Sequence, residues 1–182
     1  MAKTFDGITP ELADWIARQH VFFVASAPLA GDGHVNCSPK GMDAFRVLGP
    51  LEVAYIDLTG SGAETIAHLR ENGRCVLMFC AFSGAPKIVR LHGTGTVVEP
   101  DMPGFDELRK EFPDYVGTRA VITVRVTRVS DSCGFAVPRL EFVEERDALE
   151  RWADKKGPEA LEQYRRDRNA RSIDGLPALN LK

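Results

Sequence analysis

This 182-residue chain is short of cysteine, of excess positive charge and of long apolar runs, and each shortage excludes something. Its four cysteines, Cys37, Cys75, Cys80 and Cys133, form no Cys-x-x-Cys pair. A small secreted scaffold would be far denser in cysteine, so reduced thiols in a cytosolic compartment are expected. Lysine and arginine number 23 against 26 aspartates and glutamates, a net charge of −3. That balance argues against a nucleic-acid-binding face. No apolar run approaches a membrane span, and Met1–Gly7 lacks the apolar core of a signal peptide. The expectation is therefore a cytoplasmic protein. Asn36-Cys37-Ser38 fits a glycosylation acceptor by pattern, but without a secretory signal it is read as chance. There is no Gly-x-Gly-x-x-Gly, no Walker loop, no Gly-x-Ser-x-Gly elbow and no internal repeat. His34 has no second His or Cys at ligand spacing, so no metal site is expected.

What is present suffices for one domain with a proper core, since 44% of the residues are hydrophobic. The chain is organised around Ala54–Asn72. This stretch begins as an apolar strand, turns through Thr59-Gly60-Ser61-Gly62 and continues as a helix with Ile66 and Leu69 inward. Such a junction presents free N–H groups and a positive dipole end to an anion, and Thr59, Ser61 and Thr65 add hydroxyl donors. A second reading needs no ligand: Ser61 followed by Glu64 makes a capping box. Both readings stand on the residues alone.

Around this stretch, Thr9-Pro10 starts a helix, and Val21–Ala27 pairs with Val35–Ser38 across a Gly-Asp-Gly turn. Pro39 ends pairing or marks an edge, leaving Asn36, Ser38 and Lys40 at a polar strand end. Phe45–Leu48 and Leu51–Leu58 form a second strand pair. Asn72-Gly73 closes the central helix. Cys75–Phe82 reads as a strand buried on both faces, and Lys87–Glu99 as a long strand with Arg90 and His92 opposite Val89 and Leu91. Gly93-Thr94-Gly95 suggests a bulge there. Ala120–Val129 alternates cleanly, and Gly134–Val143 reads as a last strand broken by Pro138. Glu144–Asn169 is charged and helical, split in two by Gly157-Pro158, and Ser172–Leu179 follows as an extended segment. About seven strands with peripheral helices predict a mainly β, antiparallel barrel, not a doubly wound nucleotide fold.

The hairpin, then Asn36-Cys37-Ser38-Pro39-Lys40-Gly41, Asp57-Leu58-Thr59-Gly60-Ser61-Gly62, the helix ending in Leu69-Arg70-Glu71-Asn72-Gly73-Arg74 and the strand Val76-Leu77-Met78-Phe79 follow a familiar order. That order resembles the pyridoxamine 5′-phosphate oxidase-like flavin-binding proteins over about residues 10 to 140. The resemblance implies an FMN-binding split β-barrel over residues 1–143, with residues 144–182 as a helical extension on the barrel or a neighbouring subunit. It implies a homodimer with one FMN in each of two clefts between subunits. By resemblance, Asn36, Cys37, Ser38, Pro39 and Lys40 run along the flavin. Asp57, Leu58, Thr59, Gly60, Ser61, Gly62 and Thr65 belong to the phosphate turn and its approach, and Arg90 comes from the long strand. The true oxidase has an adjacent Arg-Lys pair early in the helix where Glu64-Thr65 stands here. Its C-terminal arginines have no clear counterpart in Arg171–Pro177. The chain therefore reads as belonging to another subgroup, with Lys40 or Arg90 left to balance a phosphate.

The function implied is that of a flavin-dependent oxidoreductase acting on a small molecule, with no catalytic residue identified. Two alternatives stay open. One is a non-catalytic flavin or haem binding or sensing protein, with His20, His34, His68 and His92 as candidate haem ligands. The other is a deazaflavin protein, which would favour more basic residues along the groove than the sequence offers.

Overall fold

A computed structural model describes residues 3–181. Its strands are β1 (Lys3–Phe5), β2 (Phe22–Ser26), β3 (Asn36–Lys40), β4 (Phe45–Gly49), β5 (Glu52–Leu58), β6 (Arg74–Cys80), β7 (Ile88–Val98) and β8 (Thr118–Ser132). The helices are α1 (Pro10–Ala17), α2 (Glu64–Asn72), α3 (Phe105–Arg109) and α4 (Ala148–Arg168). The strands make one antiparallel sheet in the order β3-β2-β6-β7-β8-β5-β4, with the short β1 also paired to β8.

The sheet curls because both of its ends bury aromatic rings in one core. Phe22 from β2, Phe79 from β6, and Phe45 and Tyr55 from β4 and β5 meet with centroids 5.0–5.8 Å apart. Contacts of this kind are each worth about 0.5–1.5 kcal/mol beyond the area they bury. Val89 and Leu91 of β7 and Val121, Ile122 and Val124 of β8 fill the middle. No ladder joins the two edge strands, β3 and β4, among the described residues, so the barrel is left split there, with β3 facing the end of β5 that runs beyond its pairing with β4.

The capping signals hold at α1, where the Thr9 hydroxyl accepts from Leu12 N at 3.3 Å, and at the α2 C-terminus, where Gly73 adopts φ 72°. The expected bulge appears as a register shift between His92 and Gly93. Three expectations need correction. Strand β6 is buried on one face only: Val76 and Met78 are half-buried, beside His92 and Arg90 on the outer side. Residues 134–143 are not a strand. Gly134 (φ 62°) turns the chain off the end of β8, and Phe135 and Val143 are more than 80% exposed. Ser172–Leu179 is a tight turn, with Ser172 N donating to Leu176 O at 2.9 Å and Gly175 at φ 78°. Within the single chain, Ala178 and Leu179 join the main core. The predicted break in α4 is present at Gly157, whose φ 72° and ψ 168° separate two helical segments.

Candidate functional site

The split holds the candidate site. A cleft of about 450 Å³ lies between β3 and β5, with the turn after β5 and the start of α2 at one end. That volume falls within the range of small-ligand pockets. On β3 the strand alternation sends Asn36, Ser38 and Lys40 to the side facing Thr65 and Asp57, while Cys37 is exposed. Strand β5 adds Ile56, Asp57 and Leu58, the turn adds Gly60, Ser61 and Gly62, and β8 adds Arg119. Leu149 of α4 closes part of the wall.

Asp57 is the electrostatic centre of the cleft. It is 1% exposed, and Lys40 Nζ donates to Oδ1 at 2.7 Å while Arg119 Nε donates to Oδ2 at 2.6 Å. Burial pushes its carboxyl up, but the charges of Arg119 and Lys40 more than offset this and hold the pKa at about 2. Arg119 also donates through Nη1 to Gly62 O at 2.8 Å, tying β8 to the turn. Asn36 Nδ2 donates to Thr65 Oγ1 at 2.9 Å and to Ser38 Oγ at 3.2 Å, a neutral chain of donors along β3. The charged lining is thus Lys40 and Arg119 against Asp57 and Glu64, which sums to zero.

The capping box is not formed. Ala63 is the N-cap of α2, with no side-chain cap bond, and Glu64 Oε2 accepts from Ala63 N at 2.9 Å. Ser61 sits two residues before the cap and lines the cleft. The remaining N–H groups of the first helical turn have no intrahelical acceptor.

Ten of the residues expected from sequence come together here: Asn36, Ser38, Pro39, Lys40, Asp57, Leu58, Gly60, Ser61, Gly62 and Thr65. Three do not line the cleft. Thr59 is fully buried behind it, its hydroxyl donating to Gly117 O at 2.9 Å and accepting from Arg165 Nε at 2.8 Å. Cys37 faces away on the exposed side of β3. Arg90 lies on the outer face of β7 and donates to Ser132 Oγ at 3.0 Å. The four histidines also lie outside the lining. His34 is bound to Asp174 at 2.6 Å, and the buried His68 pairs through Nδ1 with Ser26 Oγ.

Two contributions escape the sequence reading. Arg119 carries one signal: an aspartate in an otherwise apolar strand demands a buried cation. Arg165 and Asn169 carry none, because they reach the turn from more than 100 residues away. Asn169 Nδ2 donates to Gly60 O at 3.0 Å, and Arg165 Nη2 to Thr118 O at 3.0 Å. Burial and the neighbouring Arg119 lower the Arg165 pKa.

A split antiparallel barrel with a cleft at its opening sets the structural class of this chain. The pyridoxamine 5′-phosphate oxidase family model matches residues 8–133, and the chain belongs to that family. It is 42% identical over 195 residues to the pyridoxamine 5′-phosphate oxidase family protein ustO of Aspergillus flavus, covering 97% of this chain and 77% of the relative. Solved structures share the fold. HupZ of Group A Streptococcus aligns with a TM-score of 0.51 at 22% identity, covering 67% of this chain and 91% of its own. A putative pyridoxamine 5′-phosphate oxidase from Lactobacillus delbrueckii aligns at 0.53 and 18% identity, covering 70% and 98%. An FAD-binding protein from Mesorhizobium loti aligns at 0.50 and 14% identity, covering 72% and 96%. Among the described residues no helix is long and apolar enough to cross a membrane.

Proposed function

We propose that the cleft binds a flavin, FMN, and that the protein is a flavin-dependent oxidoreductase acting on a small molecule. The observation that carries this reading is the donor set of the split. Ser61, Thr65 and the free N–H groups of α2 gather at one end, and Asn36, Ser38 and Lys40 run away from them along β3. This fits a phosphate at the helix start with the rest of the cofactor along the strand. Glu64 already uses the Ala63 N–H and cancels part of the local positive charge, so a phosphate is held here by neutral donors more than by net charge. When bound, flavin supplies hydride or electron transfer. The chain's own residues bind and orient it: Lys40 holds a fixed ammonium beside the cleft, Asp57, itself fixed by Arg119, keeps that ammonium in place, and Ile56, Leu58 and Leu149 exclude water.

The working form in this reading is a homodimer with the clefts between subunits. Supporting it, Val76 and Met78 stand half-buried beside Arg90 and His92 on the outer face of β6 and β7. A ligand bound only by the dimer stabilises it by mass action, so dilution to monomer should release flavin. A tight FMN complex of the monomer in sedimentation would refute the dimer reading. The test of the cofactor is the absorption spectrum after reconstitution with FMN. A saturable yellow complex, reducible by NADH or NADPH, is expected, and absence of any bound flavin overturns the proposal.

A further inference from the structure

Beside the proposed flavin cleft lies a second cavity, of about 570 Å³, for which the cofactor has no use. Its walls are largely apolar: Phe23, Phe82, Leu140 and Phe142. At its edge the His20 and Phe142 rings stack with centroids 3.6 Å apart and planes within 5°. Charge is confined to exposed side chains at the mouth, Arg18 and Arg146 against Glu141, Glu144 and Glu145.

Gly41 and Met42 line both cavities. Met42 is the only non-glycine residue at positive φ, 61°, among the described residues. A left-handed backbone at a large side chain persists only where the surroundings impose it, and such positions cluster at binding sites. Here the constraint is Glu145, whose Oε2 accepts from Met42 N at 3.2 Å. A Cβ on Gly41 would stand 3.4 Å from both that carboxylate oxygen and His20 O, so the chain passes closely between them. The segment that roofs the second cavity therefore also fixes the wall between the two.

The direction of the first cleft says what lies on the other side of that wall. Asn36, at the start of β3, is bonded to Thr65 at the helix start. Gly41 is five residues further, roughly 16 Å along an extended strand. A flavin whose phosphate sits by Thr65 and which runs along β3 has its ring end toward Gly41 and Met42.

We propose that the second cavity is the subsite for the substrate, a planar and largely apolar small molecule. This rests on the flavin reading of the first cleft. The volume suits a molecule of one or two fused rings, and the His20–Phe142 pair offers it an aromatic surface. The near balance of charge at the mouth, two arginines against three glutamates, gives no anchor for a multiply charged substrate such as a phosphorylated pyridoxal.

The test uses the full chain and 2-naphthol as a neutral planar probe, titrated calorimetrically with and without FMN. One probe is expected per chain. Phe142→Ser and Leu140→Ser, both at partly exposed positions, should each weaken it at least fivefold while FMN affinity stays unchanged. In the loaded protein 2-naphthol should perturb the flavin absorbance band. An affinity for 2-naphthol unchanged in both variants overturns the proposal, as does mutual displacement of 2-naphthol and FMN. A shift from dimer to monomer in Phe142→Ser also overturns it, by making this face an interface between copies. Phe142-dependent 2-naphthol binding in a protein that takes up no FMN refutes the flavin reading and leaves the cavity as a site.

Discussion

A carboxylate almost without access to water stays charged only where cations face it, and Asp57 has two. Removing its charge should cost about 3–5 kcal/mol, because Lys40 and Arg119 are left unpaired. Urea unfolding of Asp57→Asn at neutral pH measures this. The pH dependence follows from the depressed pKa. The folded value of about 2 lies below the ordinary 3.8, so the stabilisation is fully present above roughly pH 5 and is lost as pH falls from about 4 toward 2. Wild type should lose on the order of 2 kcal/mol across that window from this group, and the gap to Asp57→Asn should narrow with it. Ser61 gives a second prediction at this scale. It does not cap α2, so Ser61→Ala should leave the melting temperature nearly unchanged while weakening FMN by about 1.5–3 kcal/mol. Glu64→Gln keeps an acceptor for Ala63 N and removes a repelling charge, so FMN should bind modestly tighter in fluorescence quenching. A Ser61→Ala protein that melts lower with FMN affinity intact would place the phosphate elsewhere. Most residues of the cleft were legible in the sequence because they sit on one strand end and one turn. Arg119 was not, since an arginine beside an apolar strand usually marks the surface.

At the scale of elements, α4 is two helices joined at an angle. Trp152 and Tyr164 meet edge-on across the break, 5.1 Å apart, with Lys156 over both rings. Gly157 has a conformation open essentially to glycine alone, although a Cβ there would touch nothing within 4 Å. Gly157→Ala should therefore destabilise by about 1–3 kcal/mol through the backbone alone, read as a lower melting temperature. The second half of α4 then holds the turn. Arg165→Ala removes the bonds to Thr59 Oγ1 and Thr118 O, and FMN affinity should fall several-fold though Arg165 lies outside the cleft lining. Arg165→Lys should restore part of it. An FMN affinity equal to wild type in Arg165→Ala would show that the turn needs no such support. The break at Gly157-Pro158 was legible because proline and glycine act locally. The failure at residues 134–143 has a physical cause too: apolar residues describe a strand only if a sheet edge lies beside them, and β8, already paired with β7, β5 and β1, offers none to the segment that follows it.

For the whole molecule, the strand order was legible only as a class. Turn residues and alternation mark seven of the eight strands, but nothing local says that β3 and β5 face each other across an unpaired gap, which is the feature that makes a cleft. The three-residue β1 was invisible, being too short to show a period. The tail was the least legible part, because its contacts join distant positions: Thr59 with Arg165, Gly60 with Asn169, His34 with Asp174, at separations of 106, 109 and 140 residues. Those separations have a consequence in time. A ribosome adds about 5–20 residues each second, so the turn at Thr59–Gly60 is made many seconds before the residues that brace it leave the exit tunnel. The strands can pair while residues 165–169 are still unmade, but the turn beside the cleft is braced only once those residues emerge.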